Sequence, residues 1–215
     1  SFSWFDPTAG KATPYDDDGH GTHTLGSAVG AKGVGVAPGA QWIGCRGCDR
    51  NQCTESWLKS CMQFMTCSDC STLDSPGDST NAIGVGATDS NDKLAWFSSR
   101  GPTKDKRIKP DLSAPGVAIR ASDFPSDTAY RSIDGTSHAA PHVAGVVALM
   151  LSANKKLSFT QVRDILTSTT DRAPIIKPSG MTCGGTTDST YPNNQYGYGR
   201  VNAMKAVLKA KSMTL

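Results

Sequence analysis

Read along its apolar positions, the chain alternates short strands with helices. Residues 24–31, TLGSAVGA, are a run of small residues that predicts a close-packed helix. A Gly-rich link at 33–39 follows, and residues 40–45, AQWIGC, read as a strand. Between 55 and 65 the apolar residues fall at 57, 58, 61, 62, 64 and 65, which suits a short amphipathic helix. Residues 82–87, AIGVGA, predict a strand of small residues, 94–97 a further one, and 117–121 another. The segment 134–151, DGTSHAAPHVAGVVALML, opens with a small-residue turn and runs into a buried helix. Ser158 and Gln161 stand in capping-box spacing and open a helix to about Thr167. A last helix is expected over 202–211. Residues 1–19 read as irregular, 100–110 as a basic loop containing proline, and 66–80 as polar without a clear element. Strands alternating with helices predict an α/β layered fold with a mostly parallel sheet flanked by helices. No repeat or linker divides the chain, so 1–215 reads as a single domain.

Composition narrows the class. The 22 basic residues face 19 acidic ones without a Lys/Arg run, so nothing indicates nucleic acid. No apolar run approaches the ~20 residues of a membrane span. The first residues lack the basic start and apolar core of a signal peptide, and the absence of an initiator Met suggests a processed or partial chain. Seven cysteines favour an oxidising compartment, and the odd count leaves at least one thiol unpaired or with its partner outside this chain.

The candidate chemistry sits at two helix starts. Ser137 follows Gly135-Thr136 at the first turn of the 134–151 helix, where unpaired backbone N–H groups carry partial positive charge. A serine there is either an N-cap or a nucleophile whose own N–H faces the oxyanion. His20 lies 117 residues earlier at a second Gly-flanked helix start, and is either a capping or surface histidine or the base for Ser137. Bringing base and serine together through the fold is the logic of a hydrolytic triad.

These segments have relatives. GHGTHTLG at 19–26 and GTSHAAPHVAG at 135–145 resemble the histidine and serine motifs of subtilisin-like serine proteases. The resemblance continues in order through 33–41, 82–102, 109–117 and 196–207, and covers most of the chain. It implies a subtilisin-like fold, with 1–215 a partial peptidase S8-like catalytic domain of a secreted serine endopeptidase lineage. In that reading His20 is the general base and then general acid. Ser137 is the acyl-forming nucleophile, with its N–H as one oxyanion donor. His23 is structural, His138 borders the leaving-group side, and His142 is a packed, hydrogen-bonded histidine. The implied substrate is a protein or peptide, added as a strand beside Arg46-Gly47. No cofactor is required for the chemistry, and a structural calcium is compatible with the resemblance.

Two expected parts are not found. The family's D-[TS]-G context does not occur in the 19 residues before His20; Asp6 is a weak candidate, and Asp16 to Asp18 suit a cleft wall or a surface loop. Between Met65 and Cys70 the family carries further strands of the central sheet and the oxyanion-hole asparagine, and this chain passes straight on. Three explanations stay open: the sequence is part of a longer protein, a propeptide or separate segment carries the triad aspartate, or the chain is a shortened relative that binds without cutting. The pairs Cys45/Cys48 and Cys67/Cys70, with Cys53 and Cys61 between, also resemble a zinc pattern; disulfides are the preferred reading, with Cys183 a candidate partner for one of the cluster.

Overall fold

The central element of the computed structural model is an 18-residue helix, Thr136–Ala153 (here α2). The structure describes residues 3–5, 12–40, 43–45, 70–73, 77–172, 180 and 182–213. Ala139, Val143, Val146 and Met150 of α2 are all buried, at intervals of four, three and four residues, which puts them on one helical face. That face meets a parallel pair, β3 (Val85–Thr88) and β4 (Leu112–Pro115), whose register pairs Val85 with Leu112 and Thr88 with Pro115. Ala87, Leu112 and Ala114 are fully buried against it. Burying a Val-, Leu- or Met-sized side chain stabilises by roughly 1.5–3 kcal/mol, so this layer holds α2 in place.

The remaining helices pack around α2. The first, α1 (His20–Val29), approaches closely because position 145 is glycine: a Cβ there would lie 2.5 Å from the Val36 Cβ and 3.1 Å from the Ala28 carbonyl oxygen. The third, α3 (Phe159–Ser168), buries Val162, Ile165 and Leu166. Both bonds of its capping box form, Ser158 Oγ accepting from Gln161 N and Gln161 Oε1 from Ser158 N. The fourth, α4 (Ala203–Ser212), is capped by Asn202 and buries Ala206 and Ala210. The antiparallel hairpin of β5 (Ile119–Ser122) and β6 (Tyr130–Ile133) packs beside α1.

A buried ion cluster links β4 to α3. Lys109, fully buried, donates to Asp111 Oδ2 at 2.6 Å and to the Ala82 carbonyl at 2.8 Å. Asp111 Oδ1 accepts from Arg163 Nη2 at 2.6 Å, and its Oδ2 also accepts from Gly84 N at 2.8 Å. A disulfide joins Cys70 to Cys183 across 113 residues, at the start of the small hairpin β7 (Thr182–Cys183) and β8 (Thr186–Thr187).

Several expectations shift. Residues 1–19 are not wholly irregular: β1 (Ser3–Phe5) pairs in parallel with β2 (Ile43–Cys45). The expected strand at 94–97 is reduced to one bridge between Leu94 and Thr88, and the strand at 117–121 begins at Ile119 instead. Of the four strand pairings among the described residues, two are parallel and two antiparallel, and one of the parallel pairs, β3–β4, lies against α2. Cys70 is spent on the disulfide, so the Cys67/Cys70 zinc pair fails. Cys48, Cys53, Cys61 and Cys67, the expected helix at 55–65 and the junction at 65–69 lie outside the described residues.

Candidate active site

Two glycine turns deliver the two candidate side chains. Gly19 has φ of +88°, a left-handed conformation that favours glycine, and a Cβ there would lie 2.3 Å from the Phe124 ring. That turn makes His20 the first residue of α1. Asp16 braces it from outside the helix. Its Oδ1 accepts from Asp18 N and Gly19 N at 3.1 and 2.8 Å, and its Oδ2 from Thr22 N and Thr22 Oγ1, both at 2.8 Å. Half-buried placement pushes the Asp16 carboxyl up, but these bonds outweigh it and hold it below the usual carboxylate range. Asp16 also lines a cavity of about 370 Å³ with Thr22, Ser122, Asp123, Phe124, Ser126 and Asp127.

Ser137 is the second residue of α2. The N-cap position is Gly135, with no side-chain cap, so Ser137 is not the capping residue. Its hydroxyl meets the histidine instead: His20 Nε2 and Ser137 Oγ are 2.9 Å apart, across 117 residues of sequence. With the hydroxyl donating to Nε2, the His20 proton sits on Nδ1. Burial holds the His20 imidazole below its ordinary range, followed by opposing pulls from Asp18 and Asp16, which raise it, and from His23 and Arg131, which lower it. A neutral His20 can therefore accept a proton.

The other histidines form a second layer. His23 is fully buried; its Nε2 donates to the Arg131 carbonyl of β6 at 3.0 Å, and its Nδ1 lies 3.0 Å from His138 Nδ1. His138, expected to border the leaving-group side, lies inward against the other histidines. It is fully buried, its ring 4.4 Å from His23 and 5.2 Å from His20 between centroids. Burial, then His23, His20, Arg131 and His142, push it down to about 4. His142 is packed as expected and donates from Nδ1 to the His138 carbonyl at 2.7 Å. Pro141 brings no N–H to the Ser137 carbonyl one turn back, which leaves the first turn of α2 less tied to the rest of the helix.

The β5–β6 hairpin was not legible as part of the site. It supplies the Arg131 carbonyl, the Phe124 ring against Gly19, and an Arg131–Asp123 ion pair at 3.2 Å. A carbonyl has no sequence identity, so no motif could have flagged it. Asp6, considered for the triad, and Arg46-Gly47, considered for substrate pairing, lie outside the described residues. Among the described residues no cluster of three or more His, Cys, Asp or Glu side chains is arranged to hold a metal, so no ligand set is assigned to calcium.

The model of the subtilase family matches residues 2–70 and 65–199. Bacillopeptidase F of Bacillus subtilis is 33% identical over 270 residues, covering 95% of this chain and 18% of that protein. Subtilisin BL of Lederbergia lenta is 30% identical over 241 residues, covering 92% of this chain and 80% of the relative. A cold-adapted subtilisin-like serine proteinase of known crystal structure superposes with a TM-score of 0.65 at 24% identity, over 80% of this chain and 82% of that one. The chain thus spans under a fifth of bacillopeptidase F, and 32% of the serine protease AprX of Bacillus subtilis. The 270-position alignment takes in only 95% of these 215 residues, so dozens of the relative's residues face none here. The family match comes in two parts that overlap at 65–70.

Proposed function

The chain belongs to the subtilase family, and from that premise we propose that it is the catalytic unit of a serine endopeptidase, residues 1–215 acting as one domain. Ser137 attacks the scissile carbonyl while His20 Nε2 takes its proton. His20 then returns that proton to the leaving amine, and water cleaves the acyl-enzyme by the same route. The Ser137 backbone N–H, at the positive end of α2, donates to the oxyanion. The observation that carries this reading is the 2.9 Å contact between His20 Nε2 and Ser137 Oγ. The substrate is a protein or peptide, and the chemistry asks for no cofactor, because the two side chains supply nucleophile and base. An extracellular location is consistent with the Cys70–Cys183 disulfide, and no described helix is long and apolar enough to cross a membrane. The orienting carboxylate and a second oxyanion donor are assigned to residues outside the described part, in this chain or in a segment that joins it.

The division of the family match into two parts at 65–70 favours a second reading, a non-catalytic relative that keeps the pair but lacks its supports. A fluorophosphonate probe separates them. Labelling of the folded protein that disappears in Ser137→Ala supports the protease; absence of labelling in a folded protein supports the binding protein.

A further inference from the structure

The residue after the nucleophile also has a defined job. We propose that His138 is a positioning residue for His20, held in one tautomer and one orientation by a hydrogen-bond chain that ends on the Arg131 carbonyl. The inference rests on the reading of His20 and Ser137 as base and nucleophile.

The proton inventory fixes the chain. A carbonyl only accepts, so His23 Nε2, 3.0 Å from the Arg131 oxygen, carries a hydrogen. A neutral His23 then has a bare Nδ1. His138 Nδ1, 3.0 Å away, must be the donor in that contact. His138 is therefore the Nδ1–H tautomer, and its Nε2 is a bare nitrogen. That nitrogen is buried and has no hydrogen-bond partner among the described residues. Protonated or bare, that nitrogen is buried and unpaired, so the tautomer is set by the contact with His23 and not by Nε2. The opposite arrangement, with His23 donating from both nitrogens, makes His23 a fully buried cation.

The consequence reaches His20 through packing. The His138 ring stands edge-on to His23 at 72° and tilted to His20 at 57°. Among the described residues, the charged or titratable groups that act on it are His20 and His23 on α1, Arg131 on β6 and His142 on its own helix. None is a carboxylate that would draw a second proton to it, so His138 stays neutral while His20 becomes an imidazolium. It forms an uncharged wall that limits how far the base can rotate from Ser137. Ser137 and His138 are consecutive, so the first turn of α2 places both the nucleophile and the wall behind its base.

Long-range proton–nitrogen correlation spectra of the wild-type protein test the chain directly. The expected result is Nδ1–H for His138 and Nε2–H for His23; His138 protonated at Nε2 overturns the proposal. Two variants test the wall. In His138→Ala the rate of Ser137 phosphonylation is expected to fall about tenfold or more, since small displacements of a base are costly. The His20 titration midpoint is expected to rise toward 6.5 as the ring swings into water. His138→Phe, which restores a ring, recovers part of both. A folded His138→Ala protein with unchanged rate and midpoint refutes the proposal. If wild type takes no label, the protease reading fails and the tautomers and the His20 midpoint decide this one alone. If His138→Ala does not fold, the wild-type tautomers decide.

Discussion

Gly135→Ala separates placing the nucleophile from holding the fold. The backbone at 135 has φ of 163°, extended and open to any residue, so the substitution brings no strain of its own. A Cβ there would lie 2.8 Å from Ser137 Oγ and 3.2 Å from His138 Cδ2. The first distance is too short, and the hydroxyl is the atom free to yield. Moving to another staggered rotamer carries Oγ about 2 Å. The 2.9 Å contact with His20 does not survive such a jump. Loss of general-base assistance costs about 10²–10⁴ in rate, and since some molecules can return to the productive rotamer we expect about a 100-fold drop in phosphonylation. The stability cost is one hydrogen bond, about 1 kcal/mol, or some 2–4 °C in melting temperature. Label uptake followed by mass spectrometry, beside a thermal melt, reads both. A Gly135→Ala protein that labels within about threefold of wild type, a difference under 1 kcal/mol, refutes this account of the turn.

Other consequences are as direct. Asp111→Asn leaves the buried Lys109 without its counter-charge, and we expect a loss of about 3–5 kcal/mol in chemical denaturation; a change under 1 kcal/mol would show that the cluster does not link β4 to α3. Breaking the Cys70–Cys183 bond by Cys70→Ser removes a closure spanning 113 residues and is expected to lower stability by about 2–5 kcal/mol, an effect absent when wild type and variant are compared under reducing conditions. His138 has its native value depressed to about 4 from 6.5, so the unfolded chain binds its proton first as pH falls. Its contribution is intact above 6.5, is lost between 6.5 and 4, and totals on the order of 3 kcal/mol. His138→Leu should flatten the stability–pH curve over that window, while the loss below 3.8, where Asp16 and Asp171 take up protons, remains. His20 is likewise depressed, so phosphonylation should keep its plateau below pH 6.5 before falling on the acid side; a midpoint above 6.5 in this chain contradicts the described burial.

What could be read from the residues was local. The Ser158/Gln161 box fixed α3 to within a residue, because a cap depends on neighbours three positions apart. The glycine turns before His20 and Ser137 were visible for the same reason. Their 2.9 Å meeting was not; it follows from α1 packing on α2 at Gly145, and the residues offered it only as one of two alternatives until the resemblance favoured it. The burial of His138 was not legible, because adjacency to a nucleophile says nothing about which way a helix face points; its ring packs on His23. The partner of Cys70 was one choice among many pairings, and the chain had to fold for Cys183 to come within a Cα separation of 5.4 Å. β1 was overlooked because a three-residue strand carries no periodicity, and its pairing with β2 is a long-range event.

The claim that His20 and Ser137 are a working base and nucleophile meets its most direct test in one comparison. The rate of fluorophosphonate uptake, with the adduct mapped to its peptide, is measured for wild type and for His20→Ala. The account predicts a single adduct on Ser137 in wild type and a rate about 10²-fold or more slower in the variant. Equal rates, or an adduct on another residue, would contradict it.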